Sequence, residues 1–206
     1  MNGDAKPLSR ETLSRAFDLM GRYLGERSIL CELAVYGGSA LMLQFDWRRT
    51  TEDVDAVVLH ADEVGSRYPS LARHGVVGDA VGYASVALDL DREWLNRAVD
   101  AFTAHEEARD THFVPFGSYP RGAPTGLRVL LARPEYLCAM KLAALKRTDV
   151  GDKDFGDAVR LAGEVGIGDE AGLKALYAGF FPEDDLDPIA EERLSEVTAA
   201  LVGRVP

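Results

Sequence analysis

Two short groups of residues hold most of the chemistry this sequence can offer. Gly37-Gly38-Ser39-Ala40-Leu41 is followed, twelve residues after Leu41, by Asp53-Val54-Asp55. A glycine pair lets backbone N–H groups approach a phosphate closely, and such groups at the start of a helix attract anions. Ser39 adds a hydroxyl donor. Two carboxylates one residue apart can hold a divalent cation, since magnesium favours one or two carboxylates together with waters and substrate phosphates. The combination points to chemistry on a nucleoside triphosphate. Each group alone has a plainer reading: a strand end with two solvated acids, and a tight turn with Ser39 as a helix cap. No glycine loop ending in lysine, of the P-loop kind, is present.

Arg49, Thr51, Asp53 and Asp55 occupy alternate positions. In one extended strand all four side chains face the same cleft, with the two acids about 7 Å apart at Cα. Lys141 stands on an expected helix among Tyr136, Leu137, Met140, Ala143, Ala144 and Leu145. It either runs along the apolar surface to water or enters a cleft as a compact positive charge. Asp154 and Asp157 are three residues apart, so they share a helix face. Either can accept a proton from an attacking hydroxyl or orient Lys141 or Arg147; both also suit the positive end of a helix dipole. His60, His74, His105 and His112 lack metal-ligand spacing and are expected on the surface or in loops, His60 just beyond the Asp-x-Asp strand. Cys31 and Cys138, each among apolar residues, read as buried free thiols.

The elements that must position these groups can be placed from periodicity and caps. Ser9 caps a first helix whose apolar stripe is Leu13, Phe17, Met20 and Leu24. Strands are expected at 33–36, 54–59, 111–116 and 127–132, and a short helix at 40–45. Residues 61–73 read as helix, 75–82 as a glycine loop, and 83–90 as strand or helix. Asp91 is expected to cap a helix over 92–104, and 118–126 to form a loop. Pro134 suits the first turn of a helix reaching about 146. Helices at 152–165, 171–178 and 188–201 complete the chain. The fold class is α+β: a mixed sheet flanked by helices over residues 1–132, and a helical part over 133–206 expected to complete the site.

The 206 residues carry a net charge of −11. That argues against a general nucleic-acid binder with a basic face, and no DNA is expected as a partner. Acid is densest between Glu183 and Glu196, with Arg193 the one basic residue; such a helix is a solvated face or a dock for a basic partner. No apolar run approaches the roughly 20 residues of a membrane helix, and the first residues lack the apolar core of a signal peptide. The chain therefore reads as cytoplasmic.

Gly37-Gly38-Ser39-Ala40-Leu41 followed by Arg49-x-Thr51-x-Asp53-x-Asp55 resembles the DNA polymerase β-type nucleotidyltransferase superfamily. Within it, the sequence is similar to the toxin nucleotidyltransferases of abortive-infection and type IV toxin–antitoxin systems. Trp94-Leu95-Asn96, Leu137-Cys138-Ala139-Met140-Lys141-Leu142 and Asp154-x-x-Asp157 fit that branch, and the likeness runs from about residue 33 to 166. It implies a nucleotidyltransferase-type sheet and transfer of a nucleoside monophosphate from NTP to a hydroxyl, with release of pyrophosphate. It further implies Mg²⁺ or Mn²⁺ on Asp53 and Asp55, with the triphosphate at Gly37, Gly38, Ser39, Arg49 and Thr51. Lys141 would stabilise developing charge, and Asp154 or Asp157 would serve as base or orienting group. The implied acceptor is the 3′ end of tRNA and the implied partner a cognate antitoxin protein. A small-molecule acceptor of aminoglycoside type, a protein acceptor, or an inactive nucleotide-binding module stand as alternatives. Polymerase-like members commonly place a third carboxylate on a later strand; Leu127-Arg128-Val129-Leu130-Leu131 has none.

Overall fold

A computed structural model of the chain describes residues 7–62, 75–99, 103–104, 107–122, 124–146 and 151–203. The chain divides into two compact units: Met1–Asp100 with Phe113–Ala132, and Ala101–His112 with Arg133–Pro206. Residues 101–112 thus belong with the C-terminal helices. The class is α+β, with a mixed sheet flanked by helices in the first unit and helices alone in the second.

The first unit opens with β1 (Leu8–Ser9) and α1 (Arg10–Gly25). Ser9 Oγ accepts the Thr12 N–H at 3.1 Å, which supplies one of the donors a helix start leaves unmet. Leu13, Phe17, Met20 and Leu24 are fully buried, as their helical spacing requires. Then come β2 (Cys31–Val35), α2 (Gly37–Gln44), β3 (Thr50–Thr51), β4 (Val54–Ala61), α3 (Val76–Leu88), β5 (Leu95–Asn96), β6 (Phe113–Tyr119) and β7 (Leu127–Ala132). The sheet order is β5-β4-β2-β7-β6. β4 and β5 are parallel, as are β2 and β7; β2 with β4 and β6 with β7 are antiparallel. β2 lies at the centre and is buried along its whole length, which suits a strand covered on both faces. Its one acid, Glu32, is the register partner of Arg128 on β7 and pairs with it at 3.4 Å. Where α1 crosses the sheet, a Cβ on Gly126 would strike the Gly21 and Gly25 backbone, so the helix seats closely only because Gly126 has no side chain.

Several expected elements differ. The glycine loop over 75–82 is instead the first half of α3. Val77, Ala80, Val81 and Ala84 form a buried stripe at helical spacing, and this burial outweighs the roughly 1 kcal/mol that each of Gly78 and Gly82 costs relative to alanine. Of the helix expected over 92–104, Leu95–Asn96 is instead a short strand, and residues 100–102 lie outside the described residues. Asp91 Oδ1 accepts the Glu93 N–H at 2.8 Å, a local turn rather than a helix cap. The chain then extends, and the Trp94 carbonyl accepts the Val54 N–H at 2.7 Å to start the β4–β5 pairing. β6 runs three residues past the expected 116, to Tyr119, and β2 begins at Cys31 rather than 33. β4 continues through Ala61, where a helix was expected to start; residues 63–73 of that helix, with His74, His105 and Arg147, lie outside the described residues.

The second unit holds α4 (Arg109–His112), α5 (Pro134–Ala144), α6 (Asp152–Glu164), α7 (Glu170–Phe180) and α8 (Pro188–Val202). Pro134 and Pro188 stand in the first turns of their helices, where a missing N–H costs nothing. Asp169 and Asp187 cap α7 and α8 by accepting the Gly172 and Ala190 N–H groups. Leu142, Leu161, Leu173, Leu194 and Val197 are fully buried and form its core. His112, expected on the surface or in a loop, is buried: its ring stands edge-on to Tyr136 at 4.6 Å and to Phe180 at 5.3 Å. Both cysteines are buried and neither is in a disulfide, and burial pushes the Cys138 thiol up to about 12. No helix among the described residues is long and apolar enough to cross a membrane.

Candidate functional site

The register of β2 against β4 places the glycine turn beside the acids. Val35 pairs with Ala56, and the Tyr36 N–H then donates to the Asp55 carbonyl at 2.9 Å. Gly37 follows at once and begins α2, so Gly37, Gly38 and Ser39 form the first helical turn. Gly37 adopts φ +57°, a left-handed conformation that side-chained residues adopt at a cost. A Cβ built there would lie 2.5 Å from Asp55 Oδ2. Glycine is thus required twice, by the backbone and by the carboxylate against it. Tyr36 at the N-cap supplies no side-chain hydrogen bond to the first-turn N–H groups. Those groups are the standard anion-binding end of a helix.

Asp53 reaches the same face of the sheet by another route. In the parallel β4–β5 pairing Asp55 stands opposite Asn96, so their side chains leave the same face. Asn96 Nδ2 donates to Asp53 Oδ2 at 2.9 Å. That bond gathers Asp53, Asp55 and Asn96 on one side. The single alternating strand expected over Arg49–Asp55 is not formed: Thr50–Thr51 pairs with Leu8–Ser9 as a separate sheet, and the chain bends at Glu52 and Asp53 before β4. The interruption changes which residues meet the turn. A Cβ on Gly38 would meet Arg48 Nη2 and Thr51 Oγ1, each at 3.0 Å. The guanidinium beside the glycines is therefore that of Arg48, while Arg49 is exposed. Thr51 Oγ1 donates to the Asp53 carbonyl at 3.0 Å and holds the bend. Ser39 is buried, and its hydroxyl donates to the Tyr36 carbonyl at 2.8 Å, within the turn itself. His60 sits at the other end of β4, exposed and paired with Asp62 at 2.9 Å.

Arg48 and Asn96 were missed as site residues. Arg48 falls out of phase with an alternation that the bend breaks, so no sequence signal marks it. Asn96 was visible in Trp94-Leu95-Asn96, but its expected helix hid its place beside Asp55.

The second unit holds its own cluster. Lys141 on α5 donates to Asp154 Oδ1 at 2.5 Å and lies 3.5 Å from Asp157 Oδ2. The two acids come from one face of α6, as their spacing requires. The Lys141 side chain is 15% exposed and that of Asp157 6%. Lys141 therefore ends among carboxylates rather than in water.

Among the described residues no group of three or more His, Cys, Asp or Glu is gathered as a metal cage. Two carboxylates on one face fit a different kind of site, in which a hard cation takes one or two protein oxygens and completes its shell with water and phosphate. Among the described residues Asp53 has no cationic partner; its carboxylate is held by a neutral amide. Asp53 and Asp55 are thus the residues that could hold such a cation.

No protein-family model matches the chain, and no curated protein matches it. Among solved structures, the chain is similar to the crystal structure of an antigenic nucleotidyltransferase-like protein from Paracoccidioides brasiliensis. The identity is 16% and the TM-score 0.36, over 98% of this chain and 92% of that one.

Proposed function

We propose that the chain is a metal-dependent nucleotidyltransferase that moves a nucleoside monophosphate from NTP to a hydroxyl. The observation that carries this reading is the packing of the Asp55 carboxylate against Gly37, at the start of a helix with no side-chain cap from Tyr36. Acid and anion-binding turn are thereby held within one short reach. A divalent cation, when bound, supplies the charge that draws electron density from the triphosphate. Asp53 and Asp55 would hold it. The first-turn N–H groups of α2, with Arg48 beside Gly38, would hold phosphate oxygens. Ser39 would act through its N–H, since its hydroxyl is engaged by Tyr36. The acceptor oxygen attacks the α-phosphorus, the bond to the β-phosphate oxygen breaks, pyrophosphate leaves, and the hydroxyl proton passes to solvent or a carboxylate. Such transfer depends on positioning and charge neutralisation more than on covalent chemistry.

The family resemblance supports the finer reading: the acceptor is the 3′ end of tRNA, and the protein is the toxin of a type IV pair with a cognate antitoxin. It also gives Lys141 a share in the reaction, with Asp154 and Asp157 orienting its ammonium. The net charge of −11 favours a second acceptor class, a cationic small molecule drawn to an acidic protein. The test is incubation with each of four α-labelled NTPs and Mg²⁺, with total tRNA in one arm and aminoglycosides in the other. Label on tRNA that vanishes in Asp53→Asn is the expected result. Label on the drug arm alone moves the acceptor to the second class. Binding of NTP without label on either arm overturns the transferase reading.

A further inference from the structure

We infer that Asn96 is a positioning residue for the cation site, fixing the Asp53 carboxylate so that its other oxygen is left for the metal. The inference rests on the reading of Asp53 and Asp55 as cation ligands.

The Asn96 amide is held at both ends. Its Oδ1 accepts the Ala98 N–H at 2.8 Å, and its Nδ2 donates to Asp53 Oδ2 at 2.9 Å. This network admits one orientation of the amide. A flipped amide would set a carbonyl against the carboxylate and an NH₂ against the Ala98 N–H, losing both bonds. Asn96 is also the register partner of Asp55 in the β4–β5 pairing, so it stands beside both acids at once. Packing does not ask for asparagine here. β5 is two residues long; Leu95 is its buried side chain, and its pairing to β4 is made by the backbone.

The chemistry of the choice is specific. Asp53 lies at a bend rather than in β4, so its side chain needs an external hold. An arginine or lysine would supply one, but it would bring a charge that competes with a cation. An amide orients the carboxylate and leaves its charge in place. The bond occupies Oδ2; among the described residues no donor is bound to Oδ1. Outer partners that orient a metal-binding carboxylate typically contribute 10- to 100-fold in affinity.

The experiment is Mn²⁺ titration by electron paramagnetic resonance, without nucleotide, on the full chain. The proteins compared are wild type, Asp53→Asn, Asn96→Ala and Asn96→Leu. Leucine keeps the branching of asparagine at Cγ and lacks the donor, so it serves where alanine impairs folding; thermal melts report folding in each. Wild type is expected to bind Mn²⁺ and Asp53→Asn to lose it. Both Asn96 variants should bind about tenfold more weakly, with melts close to wild type. In transfer assays their loss should be recovered at saturating Mg²⁺, whereas the Asp53→Asn loss is not. Wild-type affinity in both Asn96 variants overturns the inference and leaves the Asp53–Asp55 site standing. A lowered melt with unchanged Mn²⁺ affinity likewise overturns it, in favour of a structural role. Equal binding in wild type and Asp53→Asn overturns the underlying site and the inference together.

Discussion

The two units each carry a pair of aspartates, and the pairs are held in opposite ways. Asp53 is held by a neutral amide, that of Asn96, and the strand register sets Asp55 against a glycine with no Cβ. Asp154 and Asp157 are positioned by a cation that belongs to the protein, Lys141. The first arrangement keeps the charge of Asp53 available to something brought from outside. The second satisfies its charge internally. Under the proposed function the first pair is a ligand set, whereas the second already has a cation from its own chain, and the partner that orients each pair marks the difference.

The comparison breaks most sharply at Asp53. Asp53→Asn keeps shape and can still hydrogen-bond, but it removes the charge. Transfer should fall about a thousandfold, equivalent to roughly 4 kcal/mol of barrier, with an unchanged thermal melt. Retention of more than a tenth of the activity would remove Asp53 from the site.

Gly37 tests whether the first pair is held by the backbone. Alanine there meets a left-handed φ, a cost of about 1–2 kcal/mol, and a contact with Asp55 Oδ2 that only movement of the carboxylate can relieve. Gly37→Ala should lower the melt and cut transfer more than its loss of stability explains. Gly38→Ala should be milder, because it meets the flexible end of Arg48 and the Thr51 hydroxyl at 3.0 Å. Equal effects at the two glycines would argue that only the helix start matters, and not its approach to Asp55.

Lys141 tests the other pair. Lys141→Met keeps the apolar stem and removes the ammonium, leaving Asp157, 6% exposed, with one partner fewer. We expect a loss of about 2 kcal/mol, below the range for a fully buried pair because Asp154 is 35% exposed. Adding Asp154→Asn should cost less than the sum of the two single changes, since the residues share one interaction. Strict additivity of the two melts would dissolve the cluster as a unit.

What the sequence made legible follows from the range of the physics. Ser9, the Leu13–Leu24 stripe, strand 127–132 and Pro134 depend on neighbours within a turn or two, and they stand where their spacing puts them. The glycine turn and Asp55 were nameable because both lie at ends of strands with clear apolar patterns. The misreadings share one cause, a local signal overruled by contact with another element. Gly75, Gly78 and Gly82 read as a loop until the valines and alanines between them pack as a helix. Asp91 read as a cap until residues 95–96 paired with β4. Arg48 replaced Arg49 beside Gly38 because Thr50–Thr51 pairs with Leu8–Ser9, a two-residue contact no periodicity announces.

A third acid in the second unit supplies a smaller and finer test. Asp184 Oδ1 lies 2.6 Å from Lys146 Nζ, and its Oδ2 accepts the Tyr177 hydroxyl at 2.6 Å. The Lys146 ammonium, and then the Tyr177 hydroxyl, hold the Asp184 carboxyl below its usual range. A carboxyl depressed by folding stabilises the native state above its unfolded pKa, near 3.9. That stabilisation is lost as pH falls through the lower folded value. Asp184 is 55% exposed, so solvent screening limits the pair to about 0.5 kcal/mol. Asp184→Asn should therefore lower the melt slightly at pH 7, with the gap closing as pH falls below about 4 and shrinking in about 1 M salt. The Lys141 cluster is better shielded and should keep its effect in the same salt. If both respond alike, burial is not what separates a shielded ion pair from an exposed one here.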